Sequence, residues 1–242
     1  MDHTKILGDT IELIAKEKSG IIKRDTPVVI APQPYGEQAY SVIAEVARQH
    51  SAHVLDVGAA YELSVEPNDI YTQNVVVSGD TNEYAFKLPL LGAYQAENAA
   101  AAIAVSETLN LLGFELSTSN IKDGLEAVHW PGRLQVLQDD GPILMVDGAH
   151  NTNSALSVVK TIEEMRRSEI LKINRVILVF GVLSGHDSLG VLVQFESLAS
   201  LIVPVTSRHP RSTPSDLLEE QAQKLGIGLV QHSETLLTVR EG

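Results

Sequence analysis

Short runs of β-branched and aliphatic residues alternate along this chain with longer stretches of helical period, and that rhythm constrains the fold more than anything else in the sequence. PVVIA (Pro27 to Ala31), GEQAYSVIAEVARQ (Gly36 to Gln49) and AHVLDVG (Ala52 to Gly58) read as strand, helix and strand. Strands that run the same way need a helix-length crossover, so the spacing predicts a β-α-β unit. Beyond WPGR (Trp130 to Arg133) the rhythm restarts. It gives PILMVD, a helix from Thr152 to about Ser168, RVILVFG, a helix near Leu189 to Ala199, SLIVPVTS, a helix from Thr213 to Leu225, and GLVQHS. The fold class is therefore α/β. The second half is expected to be a small doubly wound sheet, whose ligands lie beyond the carboxyl ends of its strands.

Between these blocks the pattern changes. YELSVEP, YTQNVVVSG and EYAFKLPL, separated by Asn68-Asp69 and by Gly79 to Asn82, predict antiparallel strands at a sheet edge. NAAAAIAVSETLNLLG (Asn98 to Gly113) predicts an alanine-rich helix closed by glycine, and NIKDGLEAV a second helix. A domain boundary is expected near residues 134 to 138, which gives a first domain of residues 1–134 and a second of 135–242.

Several function classes fall away on composition. A formal charge of −13 argues against a nucleic-acid groove, since phosphate backbones are met by clustered Lys and Arg. The compact basic cluster is SRHPR (Ser207 to Arg211), either a meeting point for an anion or a solvated loop. No cysteine is present, which excludes disulfides and thiolate chemistry. No apolar run reaches bilayer length and the first residues lack a signal peptide's apolar core, so no membrane partner and a cytoplasmic location are expected. The strings G-x-x-x-x-G-K-[ST] and G-x-G-x-x-G are both absent, as are zinc-type histidine spacings.

Three places remain as candidate sites. PILMVD runs into GAHN, so Asp147 ends a buried strand and His150 and Asn151 occupy the crossover loop. An acid there can accept bonds from ribose hydroxyls, or it can make an Asx-turn while Asn151 caps the helix. At VTSRHPRSTPSDLL, Thr213 and Pro214 read as a cap and a first-turn proline, which holds Arg208, His209 and Arg211 beside a helix start. In IELIAKEKSGII (Ile11 to Ile22), Ile11, Ile14, Ala15, Lys18 and Ile22 share one helical stripe, so a lysine falls on the apolar side. Lys18 can snorkel from the last turn of a helix that Gly20 ends. Alternatively, a partly buried amine can react with carbon dioxide, and the carbamate is an oxygen ligand suited to Mg²⁺. Spacing does not choose between these.

Four motifs in order carry a resemblance: DHTKILGDTIELIAKEKSGIIK (Asp2 to Lys23), LPLLGAYQAENAAAAIA (Leu88 to Ala104), WPGRLQVL (Trp130 to Leu137) and MVDGAHN (Met145 to Asn151). Together they resemble the folylpolyglutamate synthase and dihydrofolate synthase family of the Mur ligase superfamily, over essentially the whole chain. The resemblance implies the carboxyl-terminal part of a central ATP-binding domain, followed by a Rossmann-like glutamate-side domain. It implies an ATP-dependent ligase in which ATP phosphorylates a folate or dihydropteroate carboxylate and the amine of L-glutamate displaces phosphate. Metal ions and cations that neutralise the transferring phosphoryl dominate such chemistry. By motif, His3 corresponds to a Mg²⁺ ligand and Lys18 to a lysine carbamylated at the same metal. Asn98, Arg133 and Asp147 correspond to nucleotide contacts, with His150 beside them.

Departures from the family pattern accompany the matches. The family's P-loop, with a serine and a glutamate that hold metals, is expected to precede residue 1, and the isolated chain is expected to lack ligase activity. Tyr94 stands where a histidine is usual, and GVLSGHD (Gly181 to Asp187) loosens the family's G-x-x-x-D-K-D loop. Two other readings stay open: a noncatalytic binding module of the same fold, and a Mur-type ligase that acts on a peptidoglycan precursor.

Overall fold

The structure, a computed structural model, describes residues 10–32 and 36–229. It divides into two compact units, Met1–Pro131 and Gly132–Gly242.

The first unit holds the predicted β-α-β segment. Helix α1 (Ile11–Ser19) is capped by Thr10, whose Oγ1 accepts the Leu13 N–H at 3.3 Å. Strand β1 (Val28–Ile30), helix α2 (Glu37–Gln49) and strand β2 (Val54–Asp56) follow, with β1 and β2 parallel in the register Val28↔Val54. A small core of Ile22, Ala47 and Ala52 joins α2 to this pair. After a helical turn, α3 (Val57–Ala60), come β3 (Glu62–Pro67), β4 (Gln73–Ser78) and β5 (Glu83–Leu88).

These three strands are antiparallel as predicted, but they form a sheet of their own instead of an edge on the parallel pair. Alternation explains the separate sheet. Val75 and Val77 on β4 and Tyr84, Phe86 and Leu88 on β5 all face one side, where helix α4 (Ala93–Leu111) lays Ala96, Ala99, Ala100, Ile103 and Ala104. Small side chains on α4 let its backbone approach the sheet closely. Helix α4 begins five residues earlier than the sequence suggests. Helix α5 (Thr118–Glu126) adds Ile121 to this core and starts with a capping box between Ser117 and Asn120.

In the second unit, β6 (Gln135–Gln138) pairs antiparallel with β7 (Leu144–Val146), with a bulge between Val136 and Gln138. Helix α6 (Thr152–Arg167), strand β8 (Ile177–Phe180), helix α7 (Ser188–Phe195), strand β9 (Leu201–Pro204), helix α8 (Ser215–Lys224) and strand β10 (Gly228–Leu229) complete it. Strands β8, β9 and β10 are parallel, in the order β10-β9-β8. Among the described residues PILMVD pairs with β6 and does not join the three parallel strands. Nor is β7 a buried strand, since Leu144 is exposed and Met145 and Val146 are half-buried. Helices α6, α7 and α8 bury Val158, Val159, Met165, Val191, Leu192 and Leu218.

The expected cap at Thr213 is also corrected. Thr213 is buried, Pro214 occupies the cap position without a side-chain bond, and the Ser215 N–H is taken by Thr206 Oγ1 at 2.8 Å.

Candidate functional site

Asp147 sits at the carboxyl end of β7, and both of its oxygens are engaged by backbone. Oδ1 accepts the Ala149 N–H at 2.7 Å, the predicted Asx-turn, and Oδ2 accepts the Leu134 N–H at 2.7 Å. The second bond reaches back to the WPGR turn, where Gly132 and Leu134 both have left-handed backbone (φ 72° and 43°). Leu134 is buried and anchors that turn. The Gly148 N–H donates to Gly132 O at 3.0 Å, which clips the two loops together.

Gly148 leaves room for the neighbouring guanidinium: a Cβ there would lie 2.9 Å from Arg133 Nη1, so a larger residue would make that flexible side chain move. Burial pushes the Asp147 carboxyl above its ordinary range, against the pull of the Leu134 and Ala149 amides and the charges of Arg133 and His150. Each carboxylate oxygen carries two lone pairs and accepts one protein bond here, which leaves capacity for ligand hydroxyls.

His150 is exposed, with Nδ1 2.9 Å from Gly148 O, and its ring meets that of His186 edge to face at 5.0 Å and 76°. Asn151 caps α6: its Oδ1 accepts the Ser154 N–H at 2.9 Å, and Ser154 Oγ accepts the Asn151 N–H at 3.2 Å. Asp147 and Asn151 therefore both perform the local structural tasks that the sequence allowed, and the Asp147 task leaves its carboxylate able to accept more.

Two further loops adjoin. Asp187 caps α7 by accepting the Gly190 N–H at 2.9 Å. The loop that carries Arg208, His209 and Arg211, all exposed, is tied to the loop after β8 through Ser184 N–H to Arg211 O at 2.6 Å and Thr213 N–H to Val182 O at 2.9 Å. The loops after β7, β8 and β9 thus converge, as expected for the carboxyl ends of an α/β sheet.

The structure brings Arg133, Asp147 and His150 together. Asn98 and Lys18 belong to the other compact unit. Asn98 is exposed on α4 and donates from Nδ2 to Gln95 Oε1 at 3.1 Å.

Lys18 departs from the expected burial. It is exposed on the last turn of α1, and the inward position is Ser19, whose Oγ donates to Ala15 O at 2.6 Å. Lys18 does line a cleft of about 320 Å³, together with Ile22, Lys23, Thr26 and Val28. His3 lies outside the described residues. Among the described residues there is no group of three or more His, Cys, Asp or Glu that could hold a metal ion.

Two residues in these arrangements escaped the sequence reading. His186 falls in the GVLSGHD stretch, but its partner in His150 is visible only in three dimensions. Gln73 carries a weak signal, a polar residue at the inward parity of Val75 and Val77.

Residues 132–241 match the Mur ligase, glutamate ligase domain family. The chain is 30% identical over 224 residues to the dihydrofolate synthase/folylpolyglutamate synthase of Bacillus subtilis, an alignment covering 88% of this chain and 48% of that protein. Folylpolyglutamate synthase from Mycobacterium tuberculosis, solved with ADP and AMPPCP, superposes with a TM-score of 0.82 at 26% identity, covering 99% of this chain and 52% of that one. Escherichia coli FolC, solved with DHPP and ADP, superposes with a TM-score of 0.76 at 28% identity, covering 95% of this chain and 50% of that one. The chain spans about half the length of the curated relatives it matches.

Proposed function

Because this chain belongs to the folylpolyglutamate synthase and dihydrofolate synthase family, we propose that it contributes the glutamate-side domain and part of the ATP site of an ATP-dependent ligase. The reaction joins L-glutamate to a folate or dihydropteroate. ATP transfers its γ-phosphoryl group to the acceptor's carboxylate and leaves as ADP. The glutamate amine then attacks the acyl phosphate, a C–N bond forms, the C–O bond to phosphate breaks, and the amine gives up a proton. Positioning and charge neutralisation carry most of the catalysis in phosphoryl transfer, so the residues to look for are those that bind and orient. A cytoplasmic location goes with this reading.

One observation carries the nucleotide part of the proposal: a half-buried carboxylate, Asp147, held by two backbone amides at a strand end with Arg133 beside it. In this reading Asp147 accepts bonds from the ribose hydroxyls, Arg133 and Asn98 make further nucleotide contacts, and His150 lies beside them. The complexes with ADP of the Mycobacterium tuberculosis and Escherichia coli proteins support it.

Mg²⁺ is part of the same reading, with His3 and a carbamylated Lys18 as ligands. The described residues do not by themselves fit such a site. Lys18 is exposed and no cluster of carboxylates or imidazoles surrounds it among them, whereas Mg²⁺ fills an octahedron of donors. No step is therefore assigned to the metal.

The G-x-x-x-x-G-K-[ST] string is absent from these 242 residues, so nucleotide binding is the decisive assay. Calorimetric titration of the purified protein with ADP should show binding that weakens about tenfold or more in Asp147→Ala and in Arg133→Ala, a change of at least about 1.4 kcal/mol. Equal affinity in the native protein and both variants, with the fold intact by circular dichroism, would overturn the assignment.

A further inference from the structure

Gln73 opens β4 on the packed side of its sheet and is 3% exposed. A carboxamide buried that deeply costs stability unless its polar atoms are bonded. The hydrogen bonds of its carboxamide all go to one turn. Nε2 donates to Leu90 O at 2.8 Å and to Gly92 O at 3.0 Å, and Oε1 accepts the Gly92 N–H at 3.1 Å.

That turn launches α4. Gly92 is the cap residue, with φ 100° and no side-chain cap of its own, and its carbonyl accepts the N–H groups of Gln95 at 3.0 Å and Ala96 at 3.4 Å. One turn further on, the buried Gln95 receives the Asn98 side-chain amide on its Oε1. A continuous line of hydrogen bonds therefore runs from Gln73 through Gly92 and Gln95 to Asn98.

The far end of α4 is pinned separately. Glu107 accepts bonds from Tyr61 and Tyr84, residues that precede and lie on the strands of the same sheet. The two attachments divide the labour: one fixes the start of the helix, where Asn98 lies, and the other fixes its last turns.

We propose that Gln73 is a positioning residue for the nucleotide site: its carboxamide holds the Gly92 turn and so sets the bearing of the first two turns of α4, from which Asn98 meets the nucleotide. The inference rests on the nucleotide reading of Asn98 given above. A methionine at position 73 fills nearly the same volume but leaves Leu90 O, Gly92 O and Gly92 N–H without their side-chain partner. The alanine and isoleucine packing of α4 stays in place, so the helix persists while its first turns lose their reference to the sheet.

ADP titration of the purified protein tests this with Gln73→Met, Asn98→Ala and Glu107→Ala, each at a temperature where circular dichroism shows the native fold. We expect Gln73→Met and Asn98→Ala each to weaken ADP about tenfold, and Glu107→Ala to stay within about twofold. In Gln73→Met/Asn98→Ala the loss should not exceed that of Asn98→Ala by more than about twofold, since both act through one contact. That non-additivity is something a purely stabilising role for Gln73 would not produce. Should Gln73→Met fail to fold, Gln73→Glu keeps the Gly92 N–H bond, loses the two donations, and carries the same expectations. The proposal is overturned if the Gln73 variant binds ADP like the native protein while Asn98→Ala does not, or if Gln73→Met and Glu107→Ala weaken binding alike. Unchanged affinity in Asn98→Ala, or no ADP binding by the native protein, removes the nucleotide reading of Asn98 and this proposal with it.

Discussion

Truncating Glu107 to alanine should be among the most costly single changes in the first unit, although Glu107 has no place in the proposed site. Its Oε2 accepts the Tyr61 hydroxyl at 2.5 Å, and its Oε1 accepts the Tyr84 hydroxyl at 2.8 Å and Asn82 Nδ2 at 2.9 Å. Burial pushes the carboxyl up, but the bonds from Tyr61, Asn82 and Tyr84 together outweigh it and hold Glu107 below the usual carboxylate range. Hydrogen bonds to a charged acceptor contribute about 1.5 kcal/mol each at the lower end. The Asn82 bond is solvent-exposed and adds least, so the two tyrosine bonds set the cost at about 3 kcal/mol. For a unit of this size that corresponds to a melting temperature lower by about 10 °C.

The attribution is checked by a double-mutant cycle in urea, followed by circular dichroism. Tyr84→Phe alone should cost about 1.5 kcal/mol, and close to nothing once Glu107 is alanine. Tyr84 is 2% exposed and its hydroxyl has Thr118 as a second side-chain partner, so it is not left unbonded when Glu107 is removed. pH provides a second check. Glu107 has a depressed folded-state pKa, so its stabilisation is complete above the carboxyl's unfolded value and is lost as pH falls through the folded one. Tyr84 is pushed up to about 12, by burial first and then by the bond to Glu107, so its contribution is complete below the phenol's ordinary value and is lost as pH rises through about 12. The difference between the native protein and Glu107→Ala should therefore be flat through neutrality and shrink at both extremes. Additive losses in the cycle, or a difference that does not shrink in acid, would refute the reasoning.

Asp147→Asn should remove a pH slope of the opposite sign. Burial raises the Asp147 carboxyl, so its contribution is complete below the unfolded value of about 3.9 and declines as pH rises through the folded one, which urea titrations across that window will read. Gly92→Ala should cost at least about 1 kcal/mol in thermal melts, because φ 100° is strained for any residue with a Cβ; an unchanged melt would show that the cap relaxes freely. In ¹³C-bicarbonate, NMR of the native protein should show a lysine carbamate signal that Lys18→Arg removes, and a signal unaffected by that substitution would take Lys18 out of the proposed metal site.

Local pattern made much of this fold legible. The strict alternation of Tyr84, Phe86 and Leu88 against exposed neighbours fixed β5 before any partner was known, and the same held for Val75 and Val77 on β4. Partner choice was less accessible. PILMVD reads as a strand, but its pairing with Gln135–Gln138 depends on a segment bounded by glutamines, too short and polar to announce itself. The turn signal was present in Asp140-Gly141, a pair suited to a tight hairpin. The start of α4 was missed for a different reason. Gly92 has no side chain to cap with, and the group that completes the turn comes from Gln73, on another strand. Of the candidate site, Asp147, Arg133 and His150 converge because the Gly148 amide clips onto Gly132, a contact between two loops that no single-element pattern encodes.

Lys18 shows where helical periodicity stops being informative. Ile11, Ile14 and Ala15 are partly or fully buried on α1, but Ile22 lies beyond the helix end, and the inward position of the last turn falls to Ser19 and not to Lys18, one step away. Chemistry settles the choice. Ser19 satisfies its own hydroxyl on Ala15 O and can be buried at little cost, whereas a buried ammonium is costly unless it is paired. The helix therefore rotates the serine in and the lysine out. This changes what would qualify Lys18 for its proposed role. A lysine sealed in the core could not meet carbon dioxide without the core opening, while an exposed one beside the cleft that Lys23 and Thr26 also line can. Accessibility lets carbon dioxide reach the amine, and the bicarbonate experiment reads whether the carbamate forms there.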